Sequence, residues 1–294
     1  MMTKRHVLTG LATTVVGCGF STTASSAAEA VGLKTELARI ETRSAGRLGV
    51  AVLDTGSLAR AEHRADERFP MCSTFKLLTA AAVLKRVDEN KERLDRRIKF
   101  GVEEVVIFSP VTKDRAGGDG MTVGELCEAA MTVSDNTAGN LLLASLGGPQ
   151  ALTTYARSIG DATTRLDRIE PELNEAVPGD PRDTTTPGAM RKNLQTLVLG
   201  DALSAASRDQ LVKWLIGNRT GDARLRAGLP TGWRCGDKTG SGERGTTNDI
   251  GVLWPPGRKP VIISIYLTET AITGDRRNAV LADVARATAA ALAG

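Results

Sequence analysis

The spacing of apolar and polar positions divides the chain into stretches of different period. Residues 31–43 (VGLKTELARIETR) follow the helical period and predict an amphipathic helix. Leu48 to Asp54, with Gly49-Val50-Ala51-Val52 at its centre, predicts a strand ended by Thr55-Gly56. Arg60 to Arg68 is polar enough for a surface turn, and Arg64 to Phe69 is a connection. From Ser73 the pattern is helical and apolar nearly all round, through Phe75, Leu77, Leu78, Ala81, Ala82, Val83 and Leu84, which marks a buried helix. Val123 to Met131, Ala138 to Leu146, Gln150 to Ile159 and Gly188 to Leu199 continue a helical middle that reaches about Leu215. Arg165 to Asp183 carries three prolines and little periodicity. It reads as a long loop, and such loops are usually functional or disordered. After Trp214 the runs Trp233 to Thr239, Asn248 to Trp254 and Pro260 to Thr268 are short, apolar and β-branched, as hairpin strands are. A last helix is expected from Arg276 to Leu292.

Strands at both ends thus flank a helical middle. The economical arrangement is an α/β (α+β) fold with one sheet built from both termini and an inserted all-helical lobe. The expected division gives residues 29–66 and 217–294 to the sheet lobe and 67–216 to the helical lobe, which includes the 165–183 loop. A chain of 294 residues suits one or two such packed lobes.

Residues 1–28 read as an export signal. Lys4, Arg5 and His6 precede a modestly apolar run from Val7 to Phe20 and then small residues from Ser21 to Ala28. Ser26-Ala27-Ala28 offers a cleavage site. The start also fits a twin-arginine-like signal, and Val15-Val16-Gly17-Cys18 resembles a lipid-attachment box on Cys18. Plain cleavage ranks ahead of lipidation, and either places the protein in the periplasm. No stretch reaches the roughly 18 apolar residues of a membrane span.

Removing residues 1–28 takes two bases and no acid, so the net charge falls from +4 to +2. That charge, with 3% aromatics and no basic stripe, argues against nucleic acid as a partner. Cys18 falls in the signal. Cys72, Cys127 and Cys235 have no metal-type spacing and read as buried free thiols. The histidines are His6 and His63. A triad or His-rich metal site would rest on His63, in a polar stretch, so hydrolytic chemistry must use other groups.

Three short motifs supply them. Ser73-Thr74-Phe75-Lys76 sets a hydroxyl and an amine on one helix face, with Ser73 at the helix start where amide hydrogens favour negative charge. As a bare pattern it could equally be a capping Ser and a solvated Lys. Lys76, however, lies on an otherwise apolar helix, where an unpaired ammonium is costly. Ser134-Asp135-Asn136 offers a hydroxyl, a carboxylate and an amide at a turn, or simply a helix cap. Lys238-Thr239-Gly240, continued by Ser241-Gly242, could form a carboxylate-binding strand edge, or an ordinary edge guarded by Lys.

Ser-x-x-Lys, Ser-Asp-Asn and Lys-Thr-Gly in this order mark class A β-lactamases and penicillin-binding proteins. From about residue 31 onward the chain resembles a class A serine β-lactamase, most of all the extended-spectrum cephalosporin-hydrolysing types. Met71-Cys72-Ser73-Thr74, the 170–187 loop and the stretch Thr246-Thr247-Asn248-Asp249-Ile250 carry that likeness. The resemblance implies a five-stranded antiparallel sheet flanked by helices, with the site between the lobes. Ser73 would be the nucleophile, its proton going to Lys76 or, through water, to Glu170, with Ser134 and Lys238 as the other catalytic groups. Backbone amides of Ser73 and Ser241 would form the oxyanion hole. Asn136 would hold the substrate's side-chain amide, Thr239, Gly240 and Ser241 its carboxylate, and Phe108 the site mouth. Glu170 and Asn174 would hold the hydrolytic water, and Arg168 with Asp183 would pin the loop neck beside a cis Glu170-Pro171 bond.

Some positions depart from the family's pattern. Thr247 stands where many members carry an Arg, so Arg224 is the stand-in, with Arg276 or Arg277 adding charge nearby. Ala80 stands opposite Cys127 and Gly242 opposite Cys72, so neither disulfide of the family should form. Carbapenem hydrolysis therefore does not follow from Cys72. The resemblance implies small β-lactam substrates and mechanism-based inhibitors as partners, a monomer, and no metal or cofactor. A penicillin-binding D,D-peptidase or a non-hydrolysing β-lactam sensor shares the nucleophile motifs but lacks a Glu170 equivalent.

Overall fold

The computed structural model describes the backbone of residues 21–293 and the side chains of residues 32–292. In chain order the elements that matter for the site are α1 (Ser21–Ser44), β1 (Arg47–Asp54), β2 (Arg60–His63), α2 (Phe75–Asp88), α3 (Val123–Thr132), α4 (Asn136–Leu146), α5 (Pro149–Ser158), α6 (Pro187–Leu194), α7 (Ala205–Ile216), α8 (Leu225–Gly228), β3 (Arg234–Ser241), β4 (Thr247–Trp254), β5 (Val261–Thr268) and α9 (Gly274–Ala293). The strands form one five-stranded antiparallel sheet in the order β2-β1-β5-β4-β3. Both chain ends contribute to it, and β1 and β5 pair in its middle with Val50 opposite Ile265.

The sheet is buried on both faces, and the period of two along its strands shows where each face goes. Leu48, Val50 and Val52 of β1, with Ile263 and Ile265 of β5, join a core with Leu37 and Ile40 of α1 and Leu281 and Val284 of α9. Leu53, Ile250, Ile262 and Tyr266 face the other way, into a core with Phe69, Phe75 and the helical middle. Two-sided burial is why these strands read as nearly continuous apolar runs instead of alternating ones. Gly49 lets the second face close: a Cβ there would lie 2.5 Å from the Phe69 ring and 2.8 Å from Pro187. Each large side chain so buried contributes about 1.5–3 kcal/mol.

Helix α2 is the axis of the helical middle. Phe75 to Leu84 are all buried, as its apolar circumference predicts. Helices α3, α4, α5 and α7 surround it. Local chemistry sets their ends. Thr122 and Glu125 form a capping box at the start of α3, and Asp135 caps α4. Gly147, with φ 105°, ends α4 in the left-handed region before Pro149 opens α5.

The sequence expectations hold for the main elements, with corrections. Arg60–His63 is an edge strand paired with β1, not a turn. It is short and charged, as exposed sheet edges tend to be, and so carries little apolar signal. Helix α1 begins at Ser21. Residues 1–20 of the expected export signal, including Cys18, lie outside the described residues. Helix α6 continues as a π-turn over Gln195–Leu199, and α7 and α8 were not anticipated as separate elements. The loop of residues 165–183 is irregular except for a 3-10 turn at Glu172–Asn174. Cys72, Cys127 and Cys235 are free and buried. No helix among the described residues is long and apolar enough to cross a membrane.

Candidate active site

Ser73 sits in a 3-10 turn, Cys72–Thr74, that runs directly into α2. The preceding residue Cys72 has φ 45°, a costly conformation for a non-glycine side chain, which marks a position the surroundings hold in place. No side chain caps this turn. The Ser73 hydroxyl is engaged elsewhere, so the reading of Ser73 as a mere cap fails. Its Oγ donates to Glu170 Oε1 at 3.0 Å and accepts from Lys76 Nζ at 2.9 Å.

Lys76, one helical turn further on, is completely buried among polar atoms. Its Nζ donates to Ser134 O at 2.8 Å and Asn136 Oδ1 at 2.7 Å, and lies 3.0 Å from Glu170 Oε1. Burial pulls its pKa below the ordinary lysine value, and the Glu170 carboxylate pulls the other way. Lys238 is equally buried, on β3. Its Nζ donates to Ser134 Oγ at 3.0 Å. Burial, with the nearby Lys76, holds its pKa well below the ordinary value. The Ser134 hydroxyl thus accepts from Lys238, with Lys76 Nζ 3.5 Å away, and its own proton is not committed to either contact.

Of the Ser134-Asp135-Asn136 turn, Asp135 is structural. Its carboxylate accepts from the backbone N–H groups of Val111, Thr112 and Ala138, each at 2.9 Å. It therefore ties the 109–112 segment to α4. Asn136 donates from Nδ2 to Ile107 O at 3.0 Å, which fixes its oxygen toward Lys76. Phe108, between these contacts, has φ 61° and is 59% exposed at the rim.

Glu170 hangs on the loop. The Glu170-Pro171 bond is cis. Arg168 Nε donates to Asp183 Oδ2 at 2.6 Å across the loop neck, and the buried Asp183 also accepts from the N–H groups of Asp167 and Arg168. Asn174 Nδ2 donates to Glu170 Oε2, so one carboxylate oxygen faces Ser73 and the other Asn174. Among the described residues, the buried Asn174 Oδ1 has no partner.

The far wall is the end of β3. Ser73, Phe108, Ser134, Asn136, Asn174, Thr239, Gly240 and Ser241 line one cavity of about 280 Å³, together with Arg224 and Thr220. Arg224 reaches this edge from the turn before α8. It donates to Gly240 O at 2.9 Å, Asn248 O at 2.8 Å and Ser241 Oγ at 2.7 Å. Burial lowers its pKa. Arg277 donates to Thr247 Oγ1 at 3.0 Å, whereas Arg276 is exposed. His63 lies on edge strand β2, bound to Glu41 at 2.9 Å.

The structure therefore brings the expected catalytic and substrate-binding residues into one cluster. Two that sequence reasoning missed belong to it. Asn140 holds both backbone groups of Glu170, donating to its O at 2.8 Å and accepting from its N–H at 2.9 Å. Its signal was present: it is an Asn four residues after Asn136 on an apolar helix, hence on the same face. Thr220 lies in a turn with no pattern that would have singled it out.

Comparison with known proteins agrees with this geometry. Residues 32–292 match the model of the β-lactamase enzyme family. The chain is 51% identical over 259 residues to β-lactamase CTX-M-8 of Citrobacter amalonaticus, covering 88% of this chain and 89% of that one. It is 52% identical over 255 residues to β-lactamase AST-1 of Nocardia asteroides, covering 87% of this chain and 82% of the relative. Among solved structures, an ancestral class A β-lactamase superposes with a TM-score of 0.87 at 66% identity, over 88% of this chain and 99% of that one. With its fold, its clustered polar groups and these relatives in agreement, the chain belongs to the β-lactamase enzyme family, in class A.

Proposed function

We propose that this enzyme hydrolyses the β-lactam amide of penicillins and cephalosporins through a covalent acyl-enzyme on Ser73, released by water that Glu170 activates. One observation carries the reading: the Ser73 hydroxyl lies 3.0 Å from Glu170 Oε1 and 2.9 Å from Lys76 Nζ, in a buried triangle.

The surroundings of Lys76 support Glu170 as the group that takes the Ser73 proton. Ser134 O, Asn136 Oδ1 and Glu170 Oε1 can only accept, and all three lie within 3.0 Å of Nζ. That environment fits an ammonium, despite the pull of burial. The Ser73 proton then passes to Glu170 as Oγ attacks the carbonyl carbon, and the Ser73 and Ser241 amides receive the developing oxyanion. The amide C–N bond breaks as Ser134 delivers its proton to the leaving nitrogen, and Lys238 and Lys76 set the field there. Glu170 passes its proton through Lys76 to the Ser134 oxygen and is a carboxylate again. It then takes a proton from water, the hydroxide so formed attacks the ester carbonyl, and Glu170 gives that proton to Ser73 Oγ as the C–Oγ bond breaks. Asn136 holds the substrate's side-chain amide. Thr239, Ser241 and Arg224 hold its carboxylate, and Asn174 orients the water.

In this reading residues 67–216 form a helical lobe set into a sheet lobe of residues 29–66 and 217–294, with the site at their junction. The protein acts as a monomer in the periplasm after loss of residues 1–28 and gives its cell resistance to β-lactam antibiotics. The test is turnover of a chromogenic cephalosporin by the purified protein. Many turnovers per enzyme are expected. A single stoichiometric burst would instead mark a D,D-peptidase or a sensor.

A further inference from the structure

Thr239, which the proposed reading sets against the substrate's carboxylate, has a hydroxyl that is already engaged. Thr220 lines the same cavity, and the two hydroxyls are in hydrogen-bond contact. Which one donates is decided a residue further in, by Asn218. Its Nδ2 donates to Asp237 Oδ2, while Asp237 Oδ1 accepts from Arg226 Nε at 2.7 Å. On the other side the backbone N–H of Thr220 donates to Asn218 Oδ1 at 3.1 Å. Turning the amide over would set its NH2 against that N–H and its oxygen against a carboxylate oxygen. Asn218 Oδ1 therefore faces Thr220 as an acceptor only. The Thr220 hydroxyl, 2.8 Å away, has one proton and commits it there. The contact between the two threonines is then made with the proton of Thr239.

We infer that Thr220 is a positioning residue that turns the Thr239 hydroxyl proton away from the substrate in the resting enzyme. Binding a carboxylate requires both hydroxyls to rotate. Thr239 then donates to the carboxylate, Thr220 donates to Thr239, and Asn218 Oδ1 keeps only the Thr220 N–H. The substrate gains a hydrogen bond as the protein loses one, so Thr220 weakens the selection for carboxylate-bearing substrates. The turn has little room to escape this arrangement, because a Cβ at Gly221 would stand 2.0 Å from Asp237 Oδ2. The inference rests on the reading that Thr239 binds the substrate's carboxylate.

The test compares kcat/KM for a cephalosporin and for its methyl ester. Thr220→Val keeps the side-chain shape and removes the hydroxyl. It should raise the acid-over-ester ratio roughly 3- to 10-fold, the worth of one neutral hydrogen bond. Thr220→Ser, which keeps the hydroxyl, should return the ratio to that of the parent. Thr239→Val should lower it. A ratio unchanged or lowered in Thr220→Val, with the Thr239→Val decrease observed, overturns the role of Thr220 and leaves the carboxylate reading standing. A ratio indifferent to Thr239→Val overturns both.

Discussion

Asn140 holds Glu170 by its backbone, not by its side chain. The amide of Asn140 donates to Glu170 O at 2.8 Å and accepts from Glu170 N–H at 2.9 Å. Two contacts to one residue fix both its place and its rotation. They leave the carboxylate free for Ser73, Lys76 and Asn174. The loop neck at Arg168 and Asp183 pins the loop to itself, whereas Asn140 pins the working residue to α4.

Asn140→Ala should affect deacylation more than acylation: both use Glu170, but in acylation Ser73 and Lys76 still hold its carboxylate at 3.0 Å, whereas deacylation must also place a water. Two backbone groups lose their partner, at about 1–3 kcal/mol for each one left unsatisfied. Stopped-flow measurement should show a retained burst followed by steady-state turnover at least roughly tenfold slower, the factor that about 1.4 kcal/mol produces. The melting temperature should fall as well. A parent-like steady state would mean that the loop holds Glu170 without Asn140.

Gly242 joins the two walls of the cleft. A Cβ there would lie 2.6 Å from Cys72 Sγ and 2.8 Å from Asn174 O. The next residue, Glu243, donates its N–H to that same oxygen at 3.0 Å. Gly242→Ala should push Asn174 outward and cost about 1–3 kcal/mol of stability through overpacking. Thermal unfolding and penicillin turnover, measured together, should both decrease. If both stay at parent values, the close approach of strand and loop is not a constraint.

Asp249 offers a test by pH. It is wholly buried on β4, with Oδ2 accepting from Leu225 N–H at 3.1 Å and Oδ1 without a hydrogen-bond partner among the described residues. Burial, then the neighbouring Asp237, pushes its carboxyl well above the ordinary value of 3.8. A raised native value means that the folded protein keeps a proton the unfolded chain has released. This contribution is full below 3.8 and is lost as pH rises through the native value. Urea unfolding between about pH 4 and 8 should show the parent losing stability relative to Asp249→Asn. A constant difference across that range would contradict the assignment.

Much of this was legible in the residues, for identifiable reasons. The apolar circumference of α2 announced a buried helix, and a lysine on it announced a site. The runs around Val50, Ile250 and Ile263 gave strands. What stayed hidden was set by tertiary contact. His63 reads as part of a polar turn until β1 is seen beside it. Asp135 carries no mark that separates it from its reactive neighbours, yet three backbone N–H groups fill its carboxylate. Thr220 acquires meaning only from Asn218 and Thr239, one on its own turn and the other across the site on β3.

The central claim is that Ser73 forms the acyl-enzyme and Glu170 releases it. Intact-mass measurement of Glu170→Ala, mixed with a cephalosporin and followed over time, tests it most directly. The account predicts gain of one acyl adduct, slower than in the parent because Glu170 also takes the Ser73 proton, that persists long after the parent has returned to its free mass, and no adduct in Ser73→Ala. Parent-like clearance of the adduct from Glu170→Ala, or labelling that survives in Ser73→Ala, would contradict it.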